Sequence, residues 1–179
     1  MKKFVCIILA MLMALGCAAV AEGYVVAANY NCPTQTVISG EAAAVEQAIS
    51  LAREQRIRGK LLAVSAPFHC ALMEPAAKKL EARFAQKSFA APSIPVYMNV
   101  DGAANADAAA IPELLVRQAM SPVRWTTTLQ NLRDDGFDTF IECGPGRTLS
   151  GLAAKTLEGA TILRVGDRQT LEETLEALG

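Results

Sequence analysis

Leu61-Leu62-Ala63-Val64-Ser65-Ala66-Pro67-Phe68-His69-Cys70 is the stretch on which the reading of this chain turns. Leu61 to Val64 has the length and apolar character of a short buried strand. Ser65-Ala66-Pro67 interrupts it. From Ala71 to about Ala85 a helix is expected, because Leu72, Ala76, Leu80 and Phe84 fall every four residues on one face. Strand, stiffened loop and helix form the repeating unit of α/β folds, which place reactive groups in loops at the C-terminal ends of strands. The single histidine of the chain, His69, lies in that loop. An imidazole there can act as general base toward a serine and then as general acid. The plainer alternative is a structural histidine bonded to a nearby backbone carbonyl.

Upstream the pattern reads β-β-α-β. Gly23–Tyr30 and Gln35–Ser39 are strand-like, and Asn31-Cys32-Pro33-Thr34 between them is a turn signal. Gly40-Glu41 opens a helix with Ala44, Ala48, Leu51 and Ala52 on one face, and Arg53, Arg56 and Arg58 crowd its end, where they suit the helix dipole. Downstream, Pro95–Asn99 reads as a strand, and Pro112 suits a first helical turn continued by Leu114, Leu115 and Gln118. Trp125–Arg133, Arg147–Leu157 and Gln169–Leu178 are helical, and Thr139–Cys143 and Ala160–Val165 are strands. The alternation predicts an α/β fold with a largely parallel sheet.

The chain has 179 residues, is 52% hydrophobic and 20% charged, and carries a formal charge of −1. That supports one domain with a sizeable core and gives no electrostatic footprint for nucleic acid. Residues 1–21 are different in kind. Lys2 and Lys3 precede an apolar run, Phe4–Leu15, and Ala19-Val20-Ala21 is a small-x-small site, the layout of an export leader. Leu15-Gly16-Cys17 offers membrane anchoring through a lipidated cysteine as the second reading. Beyond it, Cys32, Cys70 and Cys143 are odd in number and widely spaced, with no C-x-x-C pair, so neither a disulfide framework nor a zinc site is expected.

Two further groups invite chemistry. Cys70 beside His69 suggests a thiol–imidazole pair, but neighbours at a helix start lie about 100° apart around the axis, and a small buried hydrophobe is the simpler reading. Glu142-Cys143-Gly144-Pro145-Gly146-Arg147 is a strand, a glycine turn and a helix start. It could receive an anion, yet it lacks the glycine spacing of a phosphate loop.

Five segments in order, 28–40 (ANYNCPTQTVISG), 64–77 (VSAPFHCALMEPAA), 94–101 (IPVYMNVD), 114–125 (LLVRQAMSPVRW) and 142–152 (ECGPGRTLSGL), resemble the malonyl-CoA:acyl carrier protein transacylases of type II fatty-acid synthesis. The resemblance implies the C-terminal part of an acyltransferase fold: an α/β-hydrolase-like large subdomain with part of a ferredoxin-like small one. It divides the chain into a leader (1–21), a partial ferredoxin-like subdomain (22–64) and the C-terminal part of the large subdomain (65–179). It implies His69 as the base that activates a serine, and the backbone carbonyl of Gln118 as the group that orients the imidazole. Phe68 resembles a residue that restricts the acyl pocket to malonyl, and Asn31 a loop residue near the pantetheine channel. The implied partners are malonyl-CoA and acyl carrier protein, with a coenzyme A thioester as substrate, no resident cofactor and no metal. The implied compartment is the cytoplasm, which conflicts with the leader.

The chain departs from this family in what it lacks. No G-H-S-x-G pentapeptide occurs, and neither Ser39 nor Ser150 sits in such an elbow, so no residue here is expected to be the nucleophile. The G-Q-G oxyanion loop and the arginine that would grip malonyl are also missing; Arg124 and Arg147 do not match that position, and Thr34 replaces a turn glycine. The expectation is a chain inactive by itself, with unpaired strand edges that favour aggregation. The alternatives are a non-catalytic exported binding module and a truncated gene product.

Overall fold

The computed structural model describes the backbone of Cys6–Leu9 and all of residues 23–179. The chain divides into two compact units, residues 1–128 and 129–179.

The first unit holds a four-stranded sheet of β1 (Cys6–Leu9), β2 (Val25–Cys32), β3 (Gln35–Gly40) and β4 (Gly59–Leu62), in the order β2-β3-β1-β4. Every neighbouring pair in it is antiparallel, which corrects the expectation of a largely parallel sheet. The reason is local: only Pro33 and Thr34 separate β2 from β3, and so short a connection can only fold back on itself. β4 also begins and ends two residues earlier than Leu61–Val64, because its register against β1 runs from Leu9↔Gly59 to Cys6↔Leu62. β1 lies within the leader-like segment and sits between β3 and β4. The remainder of that segment, residues 1–5 and 10–21, lies outside the described residues.

Helix α1 (Ala42–Glu54) covers one face of the sheet. Val45, Ile49 and Ala52 are buried on it and pack with Val25, Ile38 and Ile57. Val37, one residue before Ile38, points to the other face, as the two-residue period of a strand demands. There it joins Ala28, Leu62 and Val64. Gly40 closes β3 because a Cβ at that position would lie 2.1 Å from the carbonyl oxygen of Tyr24. α1 ends on Arg56 in the left-handed region (φ 60°), with Arg56 N–H donating to Arg53 O at 2.9 Å and Ile57 N–H to Ala52 O at 2.8 Å. This is the two-bond stop usually given to glycine.

A 3₁₀ turn (Ala71–Met73) leads into α2 (Glu74–Phe84), which packs against α3 (Ile111–Met120). The expected strand Pro95–Asn99 shrinks to β5 (Val96–Tyr97), paired antiparallel with β6 (Ala104–Asn105). α4 (Trp125–Asp134) follows. The second unit contains β7 (Thr139–Cys143), α5 (Thr148–Ala154), β8 (Thr161–Val165) and α6 (Arg168–Leu178). β7 and β8 form the one parallel strand pair among the described residues. The α5 crossover is what lets two successive strands run the same way. Asp167 caps α6 reciprocally: its carboxylate accepts from Thr170 N–H at 2.8 Å, and Thr170 Oγ1 accepts from Asp167 N–H at 3.0 Å.

Candidate active site

Three local features place His69. Pro67 is buried and holds the approach, and its carbonyl accepts the Cys70 thiol at 3.1 Å. Ala71 N–H donates to the Tyr24 hydroxyl at 3.0 Å, which ties the start of the 3₁₀ turn to the residue just before β2. His69 itself sits in the left-handed region at φ 59°. A side chain held there costs of order 1–3 kcal/mol and persists where its surroundings over-determine it, as at functional sites.

The imidazole Nδ1 lies 3.1 Å from the backbone carbonyl of Gln118, 49 residues further on. The Gln118 side-chain amide nitrogen is 3.5 Å from the same Nδ1. One ring nitrogen cannot both donate to the carbonyl and accept from the amide. The carbonyl oxygen can only accept, and its contact is the shorter of the two; the amide nitrogen also donates to Ser121 O at 3.2 Å. In the neutral ring this geometry assigns the proton to Nδ1 and leaves Nε2 as the accepting nitrogen. Gln118 is in the last turn of α3, whose terminal carbonyls lack helical partners and bear the negative end of the helix dipole. A positive charge on the ring would face that dipole, as an imidazolium faces the buried carboxylate of a Ser–His–Asp triad.

The other candidates separate. Phe68 is 46% exposed, so its ring is presented to solvent beside the histidine and not used in a core. Asn31 lies inside β2 instead of in a turn, and its side-chain amide donates to Gln35 Oε1 at 3.1 Å across the hairpin. Cys70 is buried at 1% exposure with its thiol on the Pro67 carbonyl, which removes it as a nucleophile paired with His69. In the second unit the anion reading of the glycine turn is overturned. Glu142 Oε1 accepts from Leu149 N–H at 3.0 Å, and Oε2 accepts from Ser150 N–H at 2.9 Å and Ser150 Oγ at 2.5 Å. The carboxylate of the strand itself fills the place an anion would take. The Ser150 hydroxyl and then its N–H hold the Glu142 carboxyl below the usual carboxylate range. Among the described residues no three His, Cys, Asp or Glu side chains gather to hold a metal ion.

Sequence reasoning missed Tyr24, whose hydroxyl braces the histidine loop across 47 residues. Nothing in the local pattern of GYVV announces such a contact.

The acyl transferase domain family matches residues 10–171 of this chain, so the likeness begins inside the leader-like segment and not at residue 22. The malonyl CoA-acyl carrier protein transacylase of Salmonella typhimurium is 40% identical over 165 residues, which is 91% of this chain and 53% of that protein. The Bacillus subtilis transacylase is 41% identical over 152 residues, 84% of this chain and 48% of its own length. The chain thus spans about half the length of the curated relatives it matches. Among solved structures, the Clostridium perfringens malonyl CoA-acyl carrier protein transacylase superposes with a TM-score of 0.92 at 37% identity, covering 99% of this chain and 58% of that one. A malonyl-transacylase solved in complex with a type II polyketide acyl-carrier protein gives 0.92 at 37%, over 98% of this chain and 59% of its own. With the histidine loop and its carbonyl partner in place within that fold, this chain belongs to the acyl transferase domain family, as a partial counterpart of the malonyl CoA-acyl carrier protein transacylases.

Proposed function

We propose that His69 is the general base for malonyl transfer from malonyl-CoA to the phosphopantetheine thiol of acyl carrier protein, acting on a serine that this sequence does not supply. The observation that carries the reading is the 3.1 Å contact of His69 Nδ1 with the Gln118 carbonyl. With Nδ1 as donor, Nε2 takes the proton of the serine hydroxyl as its oxygen attacks the malonyl thioester carbonyl. The imidazolium, held against the end of α3, returns that proton to the departing coenzyme A sulfur, leaving malonyl on serine. In the second half the carrier thiol gives its proton to Nε2, its sulfur attacks the serine ester, and the imidazolium reprotonates the serine. Phe68 borders the acyl group in this reading and favours unbranched malonyl, and Asn31 stands along the pantetheine path.

The experiment pairs the chain with a separately produced polypeptide carrying a G-H-S-x-G elbow and a G-Q-G loop, and follows malonyl transfer to carrier protein. The chain alone is expected to be inactive, because one missing oxyanion donor already costs about 10²–10³ in rate. The pair is expected to transfer malonyl, with His69→Ala slower by about 10²–10⁴. Transfer by the chain alone, or a pair unaffected by His69→Ala, overturns the proposal.

Export through residues 1–21 is the second reading, favoured by Lys2, Lys3 and the apolar run that follows. Against cleavage after Ala21 stands β1, whose removal would strip both β3 and β4 of a neighbour. The intact mass of the expressed protein separates the two: retained residues 1–21 support the sheet, and their loss supports the leader. Among the described residues no helix is long and apolar enough to cross a membrane.

A further inference from the structure

We infer that Pro122 is a positioning residue for His69, because it withholds the one backbone N–H that helical geometry would place on the Gln118 carbonyl. The inference rests on the reading of His69 as a base through Nε2. In an α-helix the carbonyl of one residue is taken by the N–H four residues on. For Gln118 that residue is Pro122, which has no N–H and whose ring would clash with the carbonyl four residues back. A proline also drives the residue before it into extended backbone. Ser121 is found there, at φ −117° and ψ 152°, one residue after α3 ends at Met120. The chain then leaves the helix line. Val123 N–H donates to Ala28 O at 2.8 Å, Tyr30 N–H to Val123 O at 2.8 Å, and Arg124 N–H to Asn99 O at 2.8 Å.

From inside the turn, the Gln118 amide nitrogen holds Ser121 O at 3.2 Å, while its Oε1 is buried without a partner. The Gln118 side chain thus clamps the helix end, and its main-chain carbonyl faces His69. With an N–H at position 122, the helix gains a competitor for that carbonyl, and two donors on one oxygen weaken each other's bond. The imidazole would then lose the contact that fixes its proton on Nδ1.

His69 is the only histidine, so its ring gives one set of nitrogen resonances in the full chain. The test is ¹⁵N NMR of that ring in three proteins: the natural chain, Pro122→Ala, and a chain with N-methylalanine at position 122 installed by ligation. Fluorescence of Trp125, the single tryptophan, reports whether the adjoining segment stays folded. The natural chain is expected to show a slowly exchanging Nδ1 proton and an unprotonated Nε2. Pro122→Ala is expected to lose that slow exchange and to populate the Nε2–H form. N-methylalanine, which lacks both ring and N–H, is expected to behave as proline does. A folded Pro122→Ala with the natural ring signature overturns the inference. So does a folded N-methylalanine chain without it, which remains decisive if Pro122→Ala does not fold. If the natural chain itself carries its proton on Nε2, the reading of His69 fails first, and that outcome is seen before any variant is compared.

Discussion

Replacing Glu142 by glutamine tests how the second unit is held. In the structure Oε1 of Glu142 takes Leu149 N–H, and Oε2 takes both Ser150 N–H and the Ser150 hydroxyl. Glutamine keeps one acceptor oxygen. Turned toward Ser150, it preserves two of the three bonds and sets an NH₂ against the Leu149 N–H. The variant also removes a negative charge from the start of α5. A lost helix N-cap costs about 0.5–2 kcal/mol, and a charge at an exposed helix end about 0.3–1 kcal/mol. Glu142→Gln is therefore expected to cost about 1 kcal/mol, and Glu142→Ala, which loses all three bonds, about 2 kcal/mol. Amide exchange at Ser150 is the assay, since it reads opening of this helix start alone. At pH 7 the glutamine variant should exchange roughly fivefold faster, as expected of about 1 kcal/mol.

The pH dependence has a definite sign. The folded carboxyl is held below its ordinary range, chiefly by the Ser150 hydroxyl. Its contribution is thus complete above the ordinary carboxylate range and is lost as pH falls through the lower folded value. The gap between the natural protein and Glu142→Gln should be full at neutral pH and close in acid. Equal exchange at pH 7, or a gap unchanged in strong acid, would refute the reasoning.

Other predictions concern the first unit and the cysteines. Ile49→Ala should cost about 2–5 kcal/mol and Ile49→Val about 0.5–1.5 kcal/mol in urea unfolding, because Ile49 is buried between α1 and the sheet. Arg56→Gly should stabilise by up to about 1 kcal/mol, since it relieves a left-handed backbone while adding freedom to the unfolded chain. Any destabilisation by Arg56→Gly would mean that the arginine side chain makes a contribution larger than the strain. Gly40→Ala should fail to give soluble protein, because its methyl would collide with the Tyr24 carbonyl. Alkylation of the native protein, read by peptide mass spectrometry, should mark the exposed Cys143 and spare the buried Cys32 and Cys70 until denaturant is added.

Much of this protein was legible along the chain. Thr139–Cys143 was expected as a strand and is one, residue for residue, because β-branched and aromatic residues run up to a glycine turn. Helices were expected where 42–54, 74–84 and 168–178 are helical, but the buried faces differ: Ala77 is buried where Leu72 and Leu80 of the expected face are exposed, and α6 buries Thr170 and Thr174 while Leu171, Leu175 and Leu178 are exposed. The histidine loop announced itself through a lone imidazole between strand and helix. Proline at position 122, four residues beyond Gln118, was equally visible, and it marks where helix geometry must stop.

What only the tertiary structure decided are pairings between distant residues. Local pattern states which residues want burial, and it does not state which strand they will lie beside. The apolar run near the N-terminus reads the same whether it is a leader or a strand, and only its register against β3 and β4 makes Cys6–Leu9 part of the sheet. The sheet direction followed from a two-residue turn against the alternation of elements. Cys70 and Glu142 carried plausible chemistry in the sequence, and their hydrogen bonds to Pro67 O and to the start of α5 consume it. The contact of His69 with Gln118 spans 49 residues of chain. Its geometry depends on how α3 ends and on where the backbone after it is stitched to β2, and these are properties of packing and not of any one segment.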